Sequence, residues 1–151
     1  MMAMLHNSEL GRLTHNLMRA VFGFLFWQHG AQKLLGWFGR EGVTVFDSGR
    51  EGLDNVLFIA AGFIEFIGGA MILIGLKTRP VATLTAAMML VAYLKFHLFQ
   101  NGEGFMWDPM SNGGERALLF LFAFAFLATH GSGTMSVDHT LSAKRSSDVV
   151  G

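Results

Sequence analysis

"VLFIAAGFIEFIGGAMILIGL", Val56 to Leu76, holds 21 residues and one ionisable side chain, Glu65. A helix of roughly 20 apolar residues is what a hydrocarbon core of about 30 Å requires. A helix of a soluble bundle would carry a polar face about as wide as its apolar one, whereas this stretch is apolar nearly all round. It is therefore read as a transmembrane helix, and the rest of the chain is read with lipid as its solvent.

Composition points to the same solvent. The 151 residues fit a single domain, 1–151. They are 52% hydrophobic and only 15% charged, with 15 Phe, 10 Met and 3 Trp, where ordinary soluble domains are about 25% charged. The mean hydropathy is +0.43. There is no cysteine, which excludes disulfide frameworks, thiolate metal sites, CxxC redox pairs and cysteine nucleophiles. The 11 basic residues balance 11 acidic ones, and the aromatics sit in apolar runs rather than among basic residues, so no nucleic-acid surface is expected.

Two further stretches reach spanning length, Leu17 to Phe38 and Val81 to Gln100. A fourth, "ALLFLFAFAFLAT" from Ala117 to Thr129, reaches it when extended back to the Gly113-Gly114-Glu115 cap and on to the Gly131-Ser132-Gly133 stop. The residues thus predict an all-α, integral membrane four-helix bundle with spans at 17–38, 56–76, 81–100 and 115–133. A polar, Ser-rich tail, 134–151, is expected to be frayed. "KTRP", Lys77 to Pro80, reads as a tight turn with Pro80 opening the third helix. "NGEGFMWDPMSNGGE", Asn101 to Glu115, reads as a loop presenting Phe105 and Trp107 to the membrane interface. The N-terminal residues lack a small-residue cleavage site, so the first helix is expected to be retained. Basic residues set the orientation: Arg12, Arg19, Lys77, Arg79, Lys144 and Arg145 lie on one side, against Arg40, Arg50 and Arg116 on the other. This excess predicts both termini in the cytoplasm.

Ionisable groups at membrane depth cost roughly 2.5 to 3.5 kcal/mol each, so they face a bundle interior or wet cavity and take a partner. Within "GFLFWQHGAQKLLGWFG", Gly23 to Gly39, steps of about 100° per residue put His29, Gln32, Lys33 and Gly36 on one face. Glu65 shares its face with Gly62 and Gly69, small residues that let another backbone approach, and Lys33 or His29 is its best partner. On the third helix Tyr93 and His97 are assigned inward. Lys95 points about 200° from His97 and is expected to snorkel to the outer headgroups. With Arg116 at the start of the fourth helix, the candidate pocket comprises His29, Gln32, Lys33, Glu65, Tyr93, His97 and Arg116, in the outer half with Glu65 at its floor.

Two readings of that pocket are open. Lys33 with Glu65 is either a brace fixing helix register or part of a ligand- or proton-handling site. Two histidines with no second carboxylate at ligand spacing give no metal site. Trp27, Trp37 and Trp107 read as interfacial anchors or as a stacking platform, and Phe120, Phe122, Phe124 and Phe126 as a core or lipid-facing stripe.

The order of features resembles the DoxX family of small four-helix bacterial membrane proteins. The resemblance rests on Arg19 opening the first helix, His29-Gly30, Lys33-Leu34 and Gly36, and Glu65 followed by Gly68-Gly69. The turn from Leu73 to Arg79 and a closing Gly-x-Gly-x-x-Ser-x-Asp, Gly131 to Asp138, complete it. The basic-aromatic pair often found before the closing Ser is Thr134-Met135 here. The resemblance implies a redox-linked accessory role in the bacterial cytoplasmic (inner) membrane. Relatives include small subunits of a thiosulfate:quinone oxidoreductase, and others are linked to quinone or catechol stress and to oxidative-stress complexes. On that reading the pocket binds a quinone, and electrons come from a partner, because the chain carries no redox centre of its own. Two alternatives stand beside it. One is a non-catalytic subunit of a larger respiratory or photosynthetic membrane complex. The other is a small-solute permease, which would need a homo-oligomer because four helices without an inverted repeat make too thin a wall.

Overall fold

A computed structural model describes the backbone at residues 2–38, 49 and 51–150, and the side chains of all of these except 2–7, 101 and 148–150. Most of the first loop, including Arg40 and Arg50 used above for orientation, lies outside the described residues. Among the described residues the chain is all-helical, with no strand. The helices are α1 (Met2–Leu35), α2 (Gly52–Ile74), α3 (Thr78–Leu98), α4 (Glu115–His130) and α5 (Val137–Val150). α2 and α3 are each long and apolar enough to cross a membrane. Their i→i−4 ladders widen to π-turns at Ile64–Gly68 and Tyr93–Leu98.

The helix ends differ from the expected spans for local reasons. α1 begins at Met2 rather than at residue 17, and it stops at Leu35, where Gly36 adopts φ 68° and its amide donates to the Gln32 carbonyl at 3.2 Å. α2 starts four residues before Val56 and ends on Gly75 in the left-handed region. There the Gly75 and Leu76 amides donate to the Ile72 and Met71 carbonyls at 3.0 and 2.8 Å, the paired bonds that glycine permits after a last helical turn. α4 stops at His130, three residues short of the expected end, at Gly131 with φ 83°.

The segment expected to be a frayed tail is instead mostly the helix α5. Ser136 accepts the His139 amide at 3.2 Å as its N-cap. The Asp138 carboxylate then reaches back to accept the Lys77 and Thr78 amides at 2.7 and 2.9 Å, so it caps α3 from another helix. Arg19 closes the same end of the molecule. Its guanidinium donates to the carbonyls of Ile72 (2.8 Å) and Leu73 in the last turn of α2, and to Met135 O at 2.6 Å. Asn16 accepts the Met135 amide at 3.0 Å. Met135 thus serves this corner through its backbone while its side chain stays exposed, which is why a methionine can stand at that position.

α1 packs on α2, and α3 on α4. The first contact is backbone against backbone. A Cβ added to Gly30 would lie 2.5 Å from Phe66 Cα and 2.8 Å from Glu65 C, and one on Gly69 would lie 2.7 Å from Trp27 Cα. Between the pairs, Gly68 meets the side chains of Thr85 and Val81. The core is Phe26, Ile72, Ala82, Ala86, Met89, Phe120, Phe124 and Leu127. The α4 phenylalanines divide by face: Phe120 and Phe124 are buried, while Phe122 is 69% exposed. Large apolar side chains are exposed on α1 (Leu17, Val21), α2 (Phe63, Ile67), α3 (Leu84, Val91) and α4 (Leu119, Phe122), an outer surface suited to lipid. Phe105 and Trp107 are exposed on the loop after α3.

Because the α1–α2 contact has no room for a methyl group, Gly30→Ala should lower stability by about 1–3 kcal/mol in reversible denaturation of the purified protein. Gly11→Ala, where nothing lies within 4 Å of the added carbon, should leave stability unchanged or raise it.

Candidate ligand cavity

The close approach at Gly30 decides the chemistry next to it. Lys33 follows three residues later on the same side of α1, and its Nζ donates to Glu65 Oε1 at 2.5 Å. The ammonium also lies 5.2 Å from the centre of the Phe58 ring, a cation–π distance. Glu65 itself sits in the first π-turn and is 4% exposed. Its second oxygen, Oε2, is buried and has no hydrogen-bond partner among the described residues. An orphaned buried carboxylate oxygen forfeits a hydrogen bond to a charged group, so it marks a place where a further donor is accommodated.

Glu65 lines a cavity of about 480 Å³ between α1, α2, α3 and α4. His29, Lys33, His97 and Arg116 line the same cavity, so five of the seven expected residues meet there. His29 meets the face of Phe120 edge-on at 5.6 Å. His97, in the second π-turn, has Nδ1 3.0 Å from the Asn112 carbonyl. A carbonyl only accepts, so the proton is on Nδ1 and a neutral His97 keeps Nε2 as an acceptor.

The other two residues do not join them. Gln32 is half-buried on the flank of α1 and Tyr93 lies behind His97, stacked on it at 6.4 Å. The Tyr93 ring fills the space beside Gly114, where an added Cβ would lie 2.7 Å from it. Lys95 also corrects the sequence reading. It does not snorkel away from the bundle but forms an ion pair with Asp54 in the first turn of α2. Asp54 lines the cavity too, two residues ahead of the span expected from Val56. The available signal was its spacing: 65 − 54 = 11 residues from Glu65, about three turns along one helix face.

The loop beside the cavity is held by its own polar side chains. Asp108 accepts from Ser111 Oγ at 2.5 Å and from the Met110 amide at 3.3 Å. The Ser111 hydroxyl foremost, with the Met110 amide, keeps this solvent-exposed carboxyl below the usual aspartate range. Asn112 ties the loop to α4 by accepting the Gly114 amide at 2.7 Å. Among the described residues no three His, Asp or Glu side chains gather as metal ligands.

An all-helical chain with two membrane-length apolar helices, an apolar exterior and a charged pair buried between helices is a helical membrane protein. It belongs to the DoxX family, which matches residues 15–98, the stretch from His15 through Leu98 that carries Arg19, Lys33 and Glu65. The chain is 31% identical to a Bacillus subtilis protein named "Putative oxidoreductase CatD" over 130 residues, 86% of each chain. It is 30% identical over 122 residues to an "Uncharacterized protein" of Haemophilus influenzae, covering 81% of this chain and 86% of that one. No solved structure matches it.

Removing Lys33 alone would leave a buried carboxylate without its cation, whereas replacing both partners by apolar side chains would not. Lys33→Met is expected to destabilise the protein by about 3 kcal/mol, and Lys33→Met with Glu65→Leu to recover most of that loss, read from denaturation midpoints of the three proteins.

Proposed function

We propose that this chain is a four-span protein of the bacterial inner membrane with both termini in the cytoplasm. Its cavity binds a small redox molecule of the quinone class, so that the chain serves as an accessory component of a quinone-linked oxidoreductase. The observation that carries the reading is the Glu65 carboxylate, with one oxygen held by Lys33 and the other unpartnered among the described residues, at the wall of a 480 Å³ cavity. That volume lies within the roughly 300–1,000 Å³ of small-molecule sites. The residues present fit such a headgroup: Phe58, Phe96 and Phe120 offer flat apolar walls, and Lys33, His29 and Arg116 offer N–H donors.

On this reading His29 and Lys33 hydrogen-bond the two ring oxygens, and Glu65 holds and passes a proton from its free oxygen. A quinone supplies two-electron, two-proton chemistry when bound, and its electrons come from a partner protein. The oxidoreductase name of the Bacillus subtilis relative supports a redox setting. A second reading, a structural subunit braced by Lys33 and Glu65, is favoured by the directness of that ion pair.

Titration of the purified protein with a short-chain ubiquinone or menaquinone analogue separates the two. Saturable binding that Glu65→Gln or His29→Ala weakens by roughly tenfold, one lost hydrogen bond to a charged group, supports the redox site. Absence of binding sinks it. Topology is tested independently, because the chain has no native cysteine. A single cysteine at Ser142 should be labelled only from the cytoplasmic side, and one at Glu103 only from the outside.

A further inference from the structure

At the end of the molecule where α2 turns into α3 lies a second cavity, about 690 Å³, between the start of α3, the Gly131–Ser132 turn and α5. Four cations line it: Lys77 and Arg79 from the α3 turn, Lys144 and Arg145 from α5. The carboxylate in its lining, Asp138, has both oxygens occupied by the Lys77 and Thr78 amides. Among the described residues none of the four cations takes part in an ion pair. Concentrating four like charges around one concavity costs repulsion that a bound anion would relieve.

A second, independent feature belongs to the same wall. Thr78 is fully buried and lines this cavity, and its Oγ1 has no hydrogen-bond partner among the described residues. The cavity therefore combines four cations that form no ion pair among the described residues with a hydroxyl unsatisfied among them, the donor set of a phosphate site.

Its surroundings decide what carries the phosphate. Leu141, 55% exposed, lies one helical turn before Lys144 and Arg145 on α5 and lines the same cavity. An exposed leucine one turn from a basic pair sets an apolar contact beside the charges, as a phosphate carried on acyl chains requires. Along α3, Leu90 and Leu94 lie about three and four turns beyond Arg79 on its side of the helix, and both are exposed. This apolar strip is placed to run beside acyl chains below a headgroup held at Arg79.

We propose that this basic cavity binds the phosphate of an anionic membrane lipid, with Arg79, Lys144 and Arg145 as its principal ligands and the Thr78 hydroxyl as an inner donor. The full-length protein would be titrated with phosphatidylglycerol and, separately, with phosphatidylcholine in mixed micelles, with inorganic phosphate as a competitor. Binding would be followed by native mass spectrometry and by the unfolding midpoint. The expected result is preferential binding and stabilisation by phosphatidylglycerol, not displaced by millimolar inorganic phosphate. The triple change Arg79→Ala, Lys144→Ala, Arg145→Ala should weaken it on the order of 100-fold.

Arg12→Ala, which removes an exposed arginine outside this cavity, should leave the lipid affinity unchanged. If the triple variant does not fold, Lys144→Glu, a single change on an exposed side of α5, should still weaken phosphatidylglycerol binding by at least a few fold. Equal affinity for the two lipids, undiminished binding in the folded variants, or displacement by millimolar phosphate would each overturn the assignment.

Discussion

The contact between the backbones of α1 and α2 is the constraint on which the rest of the arrangement depends. Gly30 rests against the Glu65–Phe66 peptide, and Gly69 against Trp27. Only at that separation can Lys33 place its ammonium on a carboxylate buried one helix away. A cation that reaches so short a distance lets an ionisable group stay where isolated charge would be costly. Phe26 and Ile72 then join Phe120 and Phe124 in one core, over a pair of helices whose spacing the glycines have already set.

The polar groups segregate to the two ends of the molecule with different tasks. At one end Asn16, Arg19, Ser136 and Asp138 satisfy backbone groups left over by helix termini, and nearly every contact there is side chain to main chain. At the other, His29, Lys33, Glu65, His97 and Arg116 face a shared cavity, where Lys33 and Glu65 bond side chain to side chain. Both π-turns fall in this second region, at Ile64–Gly68 and Tyr93–Leu98. A widened turn frees main-chain geometry and turns the following side chains, a device that recurs at functional sites.

Much of this is legible in the sequence where the signal is local. Continuous apolar runs announce α2 and α3, and the facing positions of Lys33 and Glu65 follow from helical periodicity. Gln32 was misplaced because it sits about 60° to one side of His29 while Lys33 sits about 40° to the other, and the cavity opens on the Lys33 side. Asp54 was missed because α2 begins at Gly52, four residues before its continuous apolar run, which turns an apparent loop residue into a helix residue. Lys95 follows from the same cause, since its partner Asp54 lies ahead of the apolar run that marks the span. α5 reads as a polar tail because what orders it is Ser136 at its start and Asp138 bonded to a turn about sixty positions earlier, and no local pattern carries that information.

That long-range cap also has a meaning in time. The Thr78 amide and the carboxylate that satisfies it are 60 residues apart in the chain, which at synthesis rates of about 5–20 residues per second is an interval of roughly 3 to 12 s. Through that interval the first turn of α3 lacks its cap, and Lys77 lacks the Asp138 bond that accompanies its left-handed conformation in the folded protein. The α2–α3 turn is thus fixed last by a residue that emerges after all four long helices, so the final helix acts as the latch on a hairpin translated well before it.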